Sequence, residues 1–205
     1  MESNEYHFVT DWRVEGTVEE VSAILSDAAS LPRWWPSVYL IVDELEPGRE
    51  DGTQKVVKLH TRGWLPYTLD WTLRVTESRR PYGFSLEAEG DLNGRGVWSF
   101  VPDGSRVLIH YDWRIRADKL LLQRLSFAFK PVFAANHRWA MKRGEESLQL
   151  ELARRRTCSP EQLARIPAPP GPASVSANLL WIMLTFVFLA FGAYAIAVLR
   201  SSTTR

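Results

Sequence analysis

From Tyr6 to Glu15 apolar and polar residues alternate. Phe8, Trp12 and Val14 share one side, and His7, Asp11 and Arg13 the other, which predicts a strand. Thr17 followed by Glu20 forms a capping box and opens a short helix over Val18–Ser26. Leu31-Pro32-Arg33-Trp34-Trp35-Pro36 reads as a second short helix stopped by proline. Strand patterns then recur over Val38–Leu45, Lys55–Arg62, Tyr67–Thr76, Gly83–Glu89, Gly96–Val101 and Arg106–Arg116. Glycine- and proline-bearing turns separate them, including Gly63 to Pro66 and Asn93-Gly94 within Asp91–Arg95. Such short connections make the neighbours antiparallel. A long helix over about Pro131–Arg156 closes the series, with Phe133, His137, Ala140, Met141, Gly144 and Leu148 on one stripe. In the strands, Leu69, Trp71, Leu73 and Val75 share a face, as do Val107, Ile109, Tyr111, Trp113 and Ile115. A sheet with one apolar face needs a cover, and this helix is the long one available.

The pattern changes after Arg156. Five prolines between Thr157 and Ser176 predict an extended, semi-rigid tether without a helix, reaching at most ~60 Å. Leu179–Leu199 then runs uncharged, long enough at ~1.5 Å per residue to cross a bilayer core of ~30 Å. Trp181 suits a headgroup-level anchor near one end and Arg200 caps the other. The expected organisation is therefore a globular domain at 1–156, a linker at 157–177, a transmembrane helix at 178–199 and a tail at 200–205. No secretory signal pattern occupies the N-terminus, so a single-pass C-terminal anchor with a cytoplasmic N-terminal domain is expected. Ala193 and Ala197 form a small-xxx-small pair that would allow weak homo-association through the membrane helix.

Composition narrows the function classes. Lys plus Arg number 25 against 24 Asp plus Glu, so no basic face points to nucleic acid. One cysteine, Cys158, excludes an internal disulfide and a cysteine-rich metal site. No histidine pair with metal-ligand spacing, nucleophile elbow or phosphate-binding glycine loop is present, and no metal or cofactor is expected. Nine tryptophans are the unusual feature.

The order strand, two short helices, six strands, long helix resembles the helix-grip fold of the START-like and polyketide cyclase-like superfamily, also called SRPBCC. The likeness extends from Tyr6 to about Arg156. It includes Gly63-Trp64-Leu65-Pro66-Tyr67, Gly90-Asp91-Leu92-Asn93-Gly94-Arg95-Gly96-Val97-Trp98, Tyr111-Asp112-Trp113 and Asn136-His137-Arg138-Trp139. It implies an α+β fold, with a curved seven-stranded antiparallel sheet around the C-terminal helix and a cavity between them. The superfamily holds lipid carriers, small-molecule receptors and cyclases, so the fold does not choose among them.

Trp71, Tyr111, Trp113, Phe133, His137 and Met141 are expected to line that cavity, with Tyr67 and Trp35 as further contacts. His137 is the polar residue on the inward stripe. It would bond a ligand carbonyl or hydroxyl, serve as a general acid or base, or simply be a core histidine bonded to Asn136, a tyrosine or backbone. Gly144 fits either a close ligand or tight packing. Antiparallel connections gather Trp34-Trp35-Pro36, the Gly63–Tyr67 turn and Lys119–Lys130 at one end, the cavity mouth. There Trp64 and Leu65 would meet a membrane, beside an interfacial segment mixing apolar bulk with Lys119, Arg124 and Lys130. The expected function is a membrane-tethered binding or carrier module for a hydrophobic small molecule or lipid. The alternatives are a cyclase or dehydratase using His137, and a scaffold whose aromatics fill the core.

Overall fold

The computed structural model describes residues 4–117 and 120–173, with the backbone path alone over 120–129. The expected transmembrane helix, with Leu179, Trp181 and Leu199, lies outside the described residues. Among the described residues no helix is long and apolar enough to cross a membrane.

The alternating N-terminal segment forms β1 (Glu5–Glu15), followed by α1 (Val18–Leu25), a 3₁₀ turn (Ala28–Ser30) and α2 (Leu31–Trp34). The capping box is present: Thr17 Oγ1 accepts from the Glu20 N–H, and the Glu20 carboxylate accepts from the Thr17 N–H at 2.8 Å. Six strands follow: β2 (Tyr39–Glu46), β3 (Val56–Arg62), β4 (Thr68–Ser78), β5 (Gly83–Gly90), β6 (Leu92–Asp103) and β7 (Arg106–Ala117). They pair in sequence as an antiparallel meander, and β1 joins β7, giving the order β1-β7-β6-β5-β4-β3-β2. The long helix α3 (Leu120–Arg156) covers the concave face, and a short helix α4 (Pro160–Arg165) follows. This is the helix-grip arrangement.

Three expectations are corrected here. The long helix does not begin at Pro131 but passes through it from Leu120. Proline is favoured at a first helical position, and that preference misplaces the start. The linker does hold a helix, α4, because Pro160 occupies its first turn, where the missing N–H loses no bond. The chain leaves α4 in extended conformation at Ile166, and its described part up to Ala173 is not a free tether. Ile166, Pro169, Pro170 and Ala173 are half-buried, Arg154 donates to the Pro167 carbonyl, and Arg62 Nη2 donates to the Ala173 carbonyl at 2.7 Å. Third, Leu92 to Arg95 is strand and not turn. Glycine there serves close approach: a Cβ on Gly94 would overlap the Arg114 carbonyl oxygen, and one on the next glycine along the strand, Gly96, would lie 2.8 Å from both the Tyr111 and Trp113 rings.

Buried charge ties α2 to the helix. Glu151 is 1 % exposed and accepts a two-pronged bond from Arg33 at 2.7 and 2.9 Å and another from Arg155 at 2.7 Å. These partners hold its carboxyl below the usual range against the opposing effect of burial.

Candidate ligand cavity

Between the sheet and α3 lies a cavity of about 150 Å³. Several liquid-water volumes of ~30 Å³ would fit, so the aromatics have not filled the core. All eight expected residues line it: Trp35, Tyr67, Trp71, Tyr111, Trp113, Phe133, His137 and Met141. The sheet pleat puts Trp71 (β4), Tyr111 and Trp113 (β7) on the inner face, and the helical period brings Phe133, His137 and Met141 down onto them. Trp71 is locked in place, because its Nε1–H donates to Thr61 Oγ1 at 3.0 Å. A stacked run continues through Trp98, Tyr111 and Trp113, with centroids 3.9 and 5.6 Å apart. A second chamber of about 80 Å³ lies beyond a waist formed by Trp35, Tyr39, Trp71, Tyr111 and Met141, which line both spaces.

His137 is the polar centre of the larger chamber. Its ring stacks on Phe8 at 4.1 Å, and its Nε2 is buried with no hydrogen-bond partner. The expected bond to Asn136 is absent, since Asn136 Oδ1 instead accepts from the Trp64 and Leu65 N–H groups at 2.9 and 3.3 Å. Burial, with a smaller contribution from Arg138, lowers the His137 pKa to about 4, so the imidazole is neutral at pH 7. The Tyr6 hydroxyl is a second buried lining group without a partner. Burial raises the pKa values of Tyr6, Tyr39, Tyr67 and Tyr111, so their hydroxyls stay protonated. Among the described lining residues only Arg62 is formally charged. The chamber can therefore offer aromatic surface, neutral hydrogen-bonding groups and one cation at its edge.

Two expectations about the ends are corrected. Leu65 is 0 % exposed and cannot tip a membrane-docking turn, because its N–H and that of half-buried Trp64 fold onto Asn136. Trp35 is not at the mouth. It packs on Gly144, where a Cβ would sit 2.6 Å from its Cε2 and Cη2, so that glycine serves packing and not ligand approach. His60 and His110 face outward, as the alternation predicts, and pair with Asp70 and Asp11, each at 2.8 Å. Cys158 is free and exposed. Sequence reasoning overlooks Tyr6, Tyr39, Arg62 and Asn136 as wall residues. Tyr6 shares the inward parity of Phe8, a signal that could have found it. Arg62 has outward parity and reaches the cavity only from the end of its strand, a position that alternation does not signal.

A curved antiparallel sheet gripping one long helix around an aromatic-lined cavity is the helix-grip class of fold. Residues 6–153 match the family described as polyketide cyclase / dehydrase and lipid transport, and the chain belongs to that family. Among solved structures it is similar to the Zhui aromatase/cyclase of Streptomyces sp. R1128, at 17% identity and TM-score 0.59 over 75% of this chain and 97% of that one. A Thermus thermophilus protein gives 13% identity and TM-score 0.59 over 74% and 100%. A START superfamily protein of Mycobacterium smegmatis gives 16% and 0.53 over 69% and 98%. At these identities the likeness establishes the fold alone. No curated protein matches the chain.

Proposed function

We propose that the chain is a membrane-tethered binding or carrier module for a small hydrophobic molecule, held between sheet and helix. The observation that carries this reading is the aromatic-walled chamber of about 150 Å³ with the unpartnered, buried Nε2 of His137 in its wall. A void of about that size accepts a benzene-sized group. A single ring bearing one polar substituent fits the chamber, while a two-chain lipid would have to open the aromatic waist. Burying ~150 Å² of apolar ligand surface at ~25 cal/mol per Å² gives ~4 kcal/mol, before the cost of association. Affinity therefore depends on satisfying His137 and Tyr6 as well. Tethering is supported by the uncharged stretch Leu179–Leu199.

A cyclase or dehydratase is the second reading, favoured by the same unpartnered Nε2 of a cavity-lining residue. The low pKa counts against it, because a group titrating near 4 is a weak base at pH 7. A filled scaffold is disfavoured by the void.

The test is calorimetric titration of the full chain in detergent with phenol and with toluene, which differ in one hydroxyl. Phenol should bind about tenfold more tightly, equivalent to ~1.4 kcal/mol for one hydrogen bond, and His137→Leu should erase the difference. Equal affinities in the wild type, or no binding of either, would overturn the reading.

A further inference from the structure

Proline content alone predicts a semi-rigid, extended linker that permits the domain to reorient. Its described part instead lies along the domain, and the positions of its contacts specify a direction. Arg154, near the C-terminal end of α3, holds the Pro167 carbonyl, and Arg62 holds that of Ala173. Arg62 lines the cavity and precedes Gly63, whose Cα faces the Asn136 side chain so closely that a Cβ there would overlap it. From Arg154 back to Asn136 is ~27 Å along the helix at ~1.5 Å per residue. Pro167 to Ala173 spans ~19 Å as polyproline at ~3.1 Å per residue, and the two arginine side chains cover the remainder. Ile166, Pro169, Pro170 and Ala173 are half-buried while Pro167, Ala168, Gly171 and Pro172 are exposed, close to the three-residue turn of that helix.

We infer that Ile166–Ala173 is a docked polyproline strap that carries the chain from the closed end of the domain back to the cavity mouth, so that the mouth faces the lipid bilayer. This rests on the membrane-tethered reading above. Leu179 follows Ala173 by six positions, a reach of at most ~20 Å, where an unstrapped linker would allow ~60 Å. The strap thus gives orientation without inserting Trp64 and Leu65, consistent with the burial of Leu65. Ligand would pass between the bilayer and the chamber over a short path. The prolines suit this role because they lose little backbone entropy on docking.

The experiment uses the full chain with Cys158→Ser, reconstituted in vesicles of phosphatidylcholine with one-fifth phosphatidylglycerol and a headgroup-labelled energy acceptor. A donor is attached through Pro66→Cys, in the exposed mouth turn, or Ser105→Cys, in the exposed turn at the opposite end. The mouth donor should be quenched at least twofold more than the distal one. Releasing the strap with Arg154→Ala, Pro169→Gly and Pro170→Gly, which leaves Arg62 intact, should make the two nearly equal. Equal or reversed quenching in the strapped chain overturns the inference, as does a difference that survives release. If the chain fails to float with vesicles, tethering and the inference both fall, while phenol binding in detergent would still report on the cavity.

Discussion

Gly144→Ala puts the packing of the cavity wall to a quantitative test. The added Cβ would overlap Trp35 Cζ2 and meet Cε2 and Cη2 at 2.6 Å, well inside contact distance. Trp35 is 3 % exposed and hemmed in by Trp12, Trp34 and Tyr39 at centroid distances of 5.6, 5.5 and 5.1 Å. Its free direction is toward the chambers it lines. Alanine gains ~1 kcal/mol in helix propensity over glycine. Overpacking a filled site costs ~1–3 kcal/mol, so the net is a loss of about 1 kcal/mol. For a domain of this size that lowers Tm by about 2–4 °C, measurable by near-ultraviolet circular dichroism, which reports on the tryptophans. Phenol affinity should fall as the indole moves into the void. Trp35→Phe in the same chain should recover part of the loss, giving a coupling energy in a double-mutant cycle. If Gly144→Ala instead raises Tm by a few degrees and leaves phenol binding intact, propensity alone governs the site and Trp35 does not press on the helix.

The neutral state of His137 gives a pH dependence. Its folded pKa, about 4, lies below the ordinary histidine value of 6.5, so between these limits the unfolded chain holds the extra proton. Its contribution is complete above pH 6.5 and is lost as pH falls toward 4. The wild type should thus lose stability more steeply over that window than His137→Gln in chemical denaturation, and parallel curves would show that the imidazole is already solvated. Arg33→Ala leaves nearly fully buried Glu151 with Arg155 as its close cationic partner and should cost about 2 kcal/mol. A change within ~0.5 kcal/mol by urea titration would mean that Arg155 alone satisfies the carboxylate.

The wall of the cavity is legible in the sequence because it is written in periodicity. Alternation assigns Trp71, Tyr111 and Trp113 to one sheet face, and 3–4 spacing assigns Phe133, His137 and Met141 to the facing helix stripe. The limits arise where a residue signal has two meanings. Pro131 reads as a helix start and is an interior position, and Gly94 reads as a turn and is a strand residue pressed against the Arg114 carbonyl. Loop order places Trp34 and Trp35 at the mouth, but Arg33 is bound to Glu151, well along α3 from Asn136, a long-range contact that no local pattern encodes. The strap escapes a local reading for the same reason. Proline content predicts an extended backbone, and whether that backbone docks depends on Arg62 and Arg154, which no proline pattern indicates.

The central claim, that the chamber is a ligand site with His137 as its polar contact, is tested most directly by a crystal structure of the protein soaked with 4-iodophenol. The account predicts an anomalous iodine peak among Trp71, Trp113 and Phe133, with the phenol hydroxyl within hydrogen-bond distance of His137 Nε2. Side chains of Trp71 and Trp113 closed over the space, with no iodine between sheet and helix at saturating ligand, would contradict it.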